Sequence, residues 1–144
     1  MSICTFFGHR DCGHNVKPLL YKAIEDLILN NTADNFYVGN NGEFDLCVLQ
    51  VLRELKKIYG HISYWVVLPY IPCDRKQNDF DNEETIIPDG IENIYKRFAI
   101  LYRNDWMVKK SDHVIVYVKR SYGGAAQFYQ KALKLGKNTI NIAD

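Results

Sequence analysis

Short apolar segments alternate with amphipathic segments along most of the chain. Five apolar runs have the length and composition of buried strands, and most segments between them carry apolar residues at helical spacing. A strand that is followed by a helix returns to a parallel neighbouring strand through a right-handed crossover. The alternation therefore predicts an α/β fold, a single Rossmann-like three-layer domain over residues 1–144 with a mostly parallel sheet.

Element boundaries follow from where each pattern starts and stops. The predicted strands are Ile3–Phe7, Asn35–Gly39, Ile62–Tyr70, His113–Val118 and Asn138–Ile142. The predicted helices are Val16–Leu29, Asp45 up to a stop at Gly60, a helix that begins near Ile91 or Lys96, and Ala125–Leu135. The pattern lapses over 71–90, where "ETII" is a possible short strand. Within it, Cys73–Gly90 is either a flap over a site or, as its acidic residues favour, a solvated loop.

Charge and hydropathy argue against two classes of function. The chain has 18 basic and 17 acidic residues, and a net charge of +1 lacks the broad positive field that nucleic-acid binding requires. The sequence shows no leader-like N-terminal segment and no run of about 18 apolar residues. We therefore expect a cytoplasmic protein without a membrane segment.

The cysteines have neither metal-site nor redox spacing. They are Cys4, Cys12, Cys47 and Cys73, and without a Cys-x-x-Cys pair they are typical of small buried side chains in a cytoplasmic protein. Cys12 and His14 lie close together near His9, but this spacing matches no zinc finger or ribbon. We therefore predict no metal site.

Four polar or glycine-rich loops follow predicted strands. They are "GHRD" after the first strand, "GNNGEFD" after the second, "PYIP" after the third, and "KRSYGGA" after the strand His113–Val118. Ligands of parallel α/β sheets bind outside the carboxyl ends of the strands. We therefore expect the four loops to form one crevice.

The paired glycines Gly123 and Gly124 lie where a strand turns into a helix. Without side chains, this turn lets a phosphate approach backbone N–H groups at the positive end of the helix. The alternative is a tight strand-to-helix turn with close helix packing, and the glycine pair alone does not decide between the two.

Polar side chains in and near these loops are candidates for ligand contact. Arg10 can grip a phosphate bidentately, and His9 can donate to it, stack on a base, or instead cap a helix. Asp45 can accept bonds from ribose hydroxyls, or cap the second helix. Arg103 and Asn104 lie among apolar residues of a helix, where a cationic group requires an anionic ligand or a buried ion pair.

Three aromatic residues are placed to stack on a base. They are Tyr70, Trp106 and Tyr122. Because 13% of the chain is aromatic, packing in the core is the alternative for each of them.

The segments "CTFFGHRD", "FYVGNNGEFD", "VVLPY" and "YRNDWMVKKSDHVIVYV", followed by "YGGAAQF", together resemble the SLOG superfamily, in particular its YpsA-like branch. The resemblance spans nearly the whole chain. It implies a Rossmann-like fold that binds nucleotides or nucleotide-derived ligands, such as ADP-ribose or NAD-like molecules. A cyclic nucleotide is a further candidate ligand, and we expect that no cofactor is required. Together with the loop residues above, it predicts a ligand-binding set of Gly8, His9, Arg10, Gly39, Asn40, Asp45, Pro69, Tyr70, Arg103, Asn104, Met107, Tyr122, Gly123, Gly124 and Ala125.

Two departures from the family pattern bear on catalysis. The cytokinin-activating phosphoribohydrolases of the superfamily carry Pro-Gly-Gly-x-Gly-Thr-x-x-Glu, and this chain has Gln130 at the position of the glutamate. A neutral amide can neither act as a general base nor stabilise an oxocarbenium ion by its charge. In the second loop, Glu43 stands where the family has a glycine, two residues before Asp45.

Three functions from different classes follow. The favoured one is a sensor or sequestering module for a small nucleotide-derived ligand. The second is hydrolysis or transfer at an N-glycosidic bond, as in phosphoribohydrolases or deoxyribosyltransferases, with Glu43 or Asp45 as a carboxylate in a strand-to-helix loop. The third is DNA binding like that of DNA-processing relatives, which the near-neutral charge argues against. Apolar helix faces are compatible with a homodimer or higher homo-oligomer.

Overall fold

A sheet that is parallel throughout forms the centre of the fold. The structure is a computed structural model that describes residues 2–13, 15–71 and 83–143. The strands are β1 Ile3–Gly8, β2 Asn35–Val38, β3 Ser63–Val67, β4 Thr85–Ile86, β5 His113–Tyr117 and β6 Asn138–Asn141. The helices are α1 Val16–Leu29, α2 Glu43–Ile58, α3 Ala99–Lys110 and α4 Gly124–Lys134. The predicted α/β class is therefore confirmed, and the sheet is entirely rather than mostly parallel.

The strand order places a reversal of chain direction beside β1. The order is β4-β3-β2-β1-β5-β6, so the chain builds outward from β1 and then returns to its other side. There β5 pairs with β1 along its length, up to Gly8 opposite Tyr117. The loops after β1 and β5 diverge to opposite faces of the sheet, which leaves a crevice between them.

Side chains of β1 alternate between two cores on the two faces of the sheet. Cys4 and Phe6 are buried in the core that α1 and α2 cover, where the Phe6 and Phe36 rings lie 6.2 Å apart. Phe7 points to the core under α3 and α4, where its ring stacks on Phe128 at 5.2 Å. This alternation follows from the two-residue repeat of a strand and produces the predicted three layers.

The boundaries of several elements differ from the prediction. Helix α3 begins at Ala99 rather than near Ile91 or Lys96, because two 3-10 turns with an extended residue between them come first. β3 is shorter than the predicted Ile62–Tyr70, because its pairing with both neighbours, β2 and β4, ends at Val66 and Val67. Periodicity predicts that an element exists more reliably than where it ends.

The predicted "ETII" strand forms as β4, at the edge of the sheet. The predicted flap Cys73–Gly90 falls largely outside the described residues, as does Cys73 itself. Among the residues that are described, no helix combines the length and the apolar character needed to cross a lipid bilayer.

Candidate functional site

A cleft of about 290 Å³ opens at the carboxyl ends of β1 and β5. It lies at the reversal point of the sheet, and its volume is at the small end of the range for ligand sites. The residues that line it are Phe6, Phe7, Gly8, His9, Arg10, Asn41, Asp45, Ile100, Leu101, Arg103, Asn104, Met107, Arg120, Gly123, Gly124 and Ala125.

Most of the predicted ligand-binding residues meet in this cleft. Those that line it are Gly8, His9, Arg10, Asp45, Arg103, Asn104, Met107, Gly123, Gly124 and Ala125. Those that do not line it are Gly39, Asn40, Pro69, Tyr70 and Tyr122, together with the catalytic candidate Glu43. Pro69 is buried, and Tyr70 and Tyr122 are exposed.

Two of the predicted glycines are needed for packing. A Cβ on Gly8 would lie 2.3 Å from Cγ of the buried Phe44 ring, and a Cβ on Gly39 would lie 2.7 Å from Oδ2 of Asp45. At both positions the space that a side chain would need is already filled by the protein. Glycine at these two positions therefore allows Phe44 and Asp45 to pack where they do, and Gly8 also lines the cleft.

Helix α4 begins at the cleft with free backbone donors. Gly123 is its N-cap, with a φ of 95° that favours glycine, and the first helical bond runs from the Gln127 N–H to the Gly123 carbonyl at 3.0 Å. No side chain caps this end, and its first turn contains no acidic residue. The first N–H groups of the helix and its positive end therefore stay open to an anion.

Gly124 differs from Gly123 because its own conformation does not require glycine. A Cβ at this position would meet no atom within 4 Å, and its φ lies outside the left-handed region. Alanine would thus fit the empty protein and favour the helix. Because Gly124 has no side chain, the space beside it in the cleft stays open to a ligand.

Replacing Gly124 with alanine is expected to raise the free energy of unfolding by a few tenths to about 1 kcal/mol, because alanine loses less conformational entropy in a helix. The same change should weaken nucleotide binding, because the methyl group lies where a phosphate would approach. Denaturant unfolding and calorimetry measure the two effects. Gly60→Ala is the matched control, since Gly60 is equally uncrowded and far from the cleft; equal affinities for both variants would contradict a ligand role for Gly124.

Arg103 projects from α3 into the floor of the cleft. It is 1% exposed. Its Nε donates to Asn104 Oδ1 at 2.7 Å, and its Nη1 donates to Asn40 Oδ1 and to the Val67 carbonyl, both at 2.9 Å. Within the described ranges, Nη2 has no hydrogen-bond partner. Burial lowers the pKa of Arg103 while the nearby carboxylate of Asp45 opposes the shift, so the charge is held without a direct ion pair.

Asp45 is the carboxylate of the cleft. Its Oδ2 accepts a hydrogen bond from the Asn41 N–H at 2.9 Å. Burial raises the pKa of Asp45 to about 6, although Arg103, the Asn41 N–H and Arg10 all favour its charged form. A carboxyl group with this pKa has an appreciable protonated fraction near neutrality, as acid–base catalysis requires.

Glu43 is separated from Asp45, contrary to the prediction that both acids share a strand-to-helix loop. Both lie in the first turn of α2, which begins directly after Gly42. Residues two apart on a helix point in different directions. Glu43 is exposed, and its Oε2 accepts a hydrogen bond from the Gly13 N–H at 3.2 Å.

The Asp45→Asn variant is expected to be more stable than the wild type at pH 7.5, by up to about 3 kcal/mol. The pKa of Asp45 is about 6 in the folded protein, against an ordinary value of 3.8 in the unfolded chain. The protonated carboxyl group therefore contributes stability that is fully present below pH 3.8 and is lost as the pH rises through 6. The amide abolishes that loss. Denaturant unfolding between pH 4 and 7.5 measures the difference, which should vanish below pH 4; a variant less stable than wild type at pH 7.5 would contradict the argument.

His9 connects the loops that follow β1 and β5. It is buried, and its Nε2 accepts a hydrogen bond from the Lys119 N–H at 2.9 Å. Burial and the charge of Arg120 lower its pKa, which favours the neutral ring. Because Nε2 accepts a hydrogen bond, the neutral ring carries its proton on Nδ1. In the part of the chain that is described, Nδ1 has no acceptor. The site therefore contains a donor on His9 as well as its structural bond.

Sequence reasoning missed six residues that line the cleft: Phe6, Phe7, Asn41, Ile100, Leu101 and Arg120. Arg120 stands in the same "KRSYGGA" loop as the glycine pair, which is the signal that could have identified it. Ile100 and Leu101 are exposed apolar residues in the first turn of α3. The predicted helix contained both, but the sequence carries no signal that distinguishes an apolar residue lining a cleft from one that packs in the core. Ile100 and Leu101 form an apolar wall beside the charged floor.

Two residues singled out from the sequence lie elsewhere. Trp106 packs on the Tyr37 ring at 5.3 Å, against the core under α3 and α4, so its core interpretation is confirmed. Gln130 is exposed and lies on α4 outside the cleft. Within 2–13, 15–71 and 83–143, no three His, Cys, Asp or Glu residues form a group that could hold a metal ion; His14 falls outside these ranges.

Neither a scan against protein-family models nor a search of curated proteins produced a match to the chain. The similarity to the SLOG superfamily therefore stays a prediction from the quoted residues, and the chemistry of the cleft is the basis for assigning a function.

Proposed function

We propose that the cleft binds a nucleotide or nucleotide-derived ligand through an anionic group, and that the protein acts as a sensor or sequestering module for it. The observation that carries the proposal is a cationic side chain in the cleft that no direct polar contact holds. Arg10 lines the cleft, and among the described residues its guanidinium has neither an ion pair nor a hydrogen bond. Such a group is available to grip a phosphate.

The other charges of the cleft point the same way. At the floor of the cleft, Arg103 presents its Nη2, which has no hydrogen-bond partner among the described residues. The uncapped N-terminus of α4 contributes backbone N–H groups. Asp45 is the one carboxylate among the described lining residues. An anion therefore enters a site in which cationic groups outnumber acidic ones.

The remaining surface of the cleft suits the uncharged part of a nucleotide. Ile100, Leu101 and Met107 supply apolar contacts for a base, and Asn104 supplies an amide. The volume of the cleft, about 290 Å³, lies near the lower bound for small-molecule sites and favours a mononucleotide over a larger ligand. A ligand such as ADP-ribose would extend past the rim of the cleft.

A second candidate, cleavage or transfer at an N-glycosidic bond, is favoured by Asp45. A pKa of about 6 lets this carboxyl group donate or accept a proton near neutral pH. The position of Glu43 outside the lining leaves Asp45 as the stronger of the two catalytic candidates. In this alternative the same cationic groups hold the phosphate of the substrate.

Calorimetry and thermal shift against AMP, IMP, NAD, ADP-ribose and cyclic ADP-ribose test both candidates, with chromatography of each mixture. A ligand that raises Tm and is recovered intact supports the binding module. Release of a free base supports the enzyme, and Asp45→Asn should then abolish turnover while Glu43→Gln keeps it. Failure of every nucleotide to bind would overturn the proposal. Light scattering of the same sample tests the expected homodimer.

Replacing Arg10 with glutamine is expected to weaken AMP binding by about tenfold or more, because a charge-assisted hydrogen bond to phosphate is lost. The stability should change little, since Arg10 is exposed. Calorimetry measures the affinity, and Lys57→Gln is the control that removes the same charge at the far end of α2. Equal affinities for the two variants would mean that Arg10 does not contact the ligand.

A further inference from the structure

An ion pair links the two loops that flank the cleft. Nη2 of Arg120, in the loop after β5, lies 3.1 Å from Oδ1 of Asp11, in the loop after β1. Arg120 lines the cleft, whereas Asp11 does not. The pair therefore joins a cleft residue to a carboxylate at the outer rim.

The pair holds Arg120 weakly. The side chains of Asp11 and Arg120 are 73% and 39% exposed, and ion pairs at such positions contribute little to stability. The guanidinium also lies 5.4 Å from the centre of the Tyr122 ring, and its charge acts on His9 inside the cleft. Arg120 can thus exchange one carboxylate partner for another anion without loss of a buried contact.

From this arrangement we propose that Arg120 is a further ligand-binding residue. Asp11 forms an ion pair with Arg120 until the anionic group of the ligand replaces the Asp11 carboxylate. The inference rests on the proposed function of the cleft. Asp11 is a competitor of the ligand within the protein, so it lowers the affinity of the site and favours release. A ligand with a higher negative charge displaces it more readily.

The first test is a double-mutant cycle in the full chain, with AMP as the probe and calorimetry as the readout. Asp11→Asn should tighten AMP binding about two- to fivefold, the range expected for the loss of an exposed ion pair. Arg120→Gln should weaken binding, and Asp11→Asn should then have no further effect in the Arg120→Gln background. Asp26→Asn, an exposed change of the same charge on α1, is the control and should leave the affinity unchanged.

The second test needs no nucleotide. Arg120 holds the pKa of Asp11 below its ordinary value, chiefly through the hydrogen bond from its guanidinium. Carboxyl-carbon NMR measures this pKa. Saturation with inorganic sulfate, an anion of constant charge over the titration, should raise it toward the value found in the Arg120→Gln variant.

The two tests separate the possible failures. If AMP binds but Asp11→Asn has no effect, or the same effect with and without Arg120, the inference is wrong and the proposed function stands. If AMP does not bind, the proposed function fails for that nucleotide, and the sulfate titration decides the inference alone. An unchanged Asp11 pKa in saturating sulfate would overturn it.

Discussion

Replacing Arg103 with methionine is expected to lower the free energy of unfolding by about 2 to 4 kcal/mol at pH 7.5, because buried acceptors are left without a donor, and to abolish nucleotide binding. The guanidinium is buried and donates to Asn40 and to the Val67 carbonyl, which would both lose their donor. The carboxylate of Asp45 would lose the buried cation that most favours its charged form. Denaturant unfolding measures the stability, and calorimetry with AMP measures the binding.

The pH dependence of this loss distinguishes charge from packing. At pH 5 most of the Asp45 carboxyl groups are protonated, since its pKa is about 6, so the loss caused by Arg103→Met should be smaller there than at pH 7.5. Arg103→Lys keeps the charge but loses the planar, forked donor group of arginine, so its stability should lie between those of the wild type and Arg103→Met. A loss below about 1 kcal/mol for Arg103→Met at both pH values would show that the buried guanidinium is dispensable for the fold.

Replacing Gly8 with alanine is expected to destabilise the protein by about 2 to 3 kcal/mol, the upper part of the usual range for overpacking. The added Cβ would lie 2.3 to 2.5 Å from three carbons of the Phe44 ring. Phe44 is buried in the core at the start of α2, so its ring has little space in which to move aside. Denaturant unfolding of the variant measures the effect.

A second substitution tests the cause. Phe44→Leu alone should cost about 1 kcal/mol, but in the Gly8→Ala background it should restore stability, because the branched side chain leaves room for the methyl group. Additive effects of the two changes would show that the contact between Gly8 and Phe44 is not the source of the strain. Gly60→Ala is the control for the same substitution without crowding.

The fold class could be predicted because it depends on periodicity. β1, with Cys4 and Phe6 facing one core and Phe7 the other, reads as a continuous apolar run, and α2 carries one apolar face; both patterns are local. The start of α3 was mispredicted because the two 3-10 turns before it share the composition of a helix. Only their hydrogen bonds distinguish them.

The glycines of the site also show what a local sequence pattern does not distinguish. Gly8, Gly39 and Gly124 are alike in sequence, and all three were predicted to contact ligand. The structure distinguishes them by what a Cβ would meet: the Phe44 ring, the Asp45 carboxylate, or open space beside the cleft. That difference depends on residues far along the chain.

What the sequence by itself determined is the set of loops at the carboxyl ends of the strands, since in a parallel α/β sheet the element order places those loops on one edge. Only the tertiary structure decided which side chains meet there. It placed Asp45 near Arg103, left Glu43 exposed outside the cleft, and brought Arg120 into the lining with Arg10. Burial and long-range contacts set these positions and the pKa of Asp45, and both depend on the folded arrangement of the whole chain rather than on any local pattern.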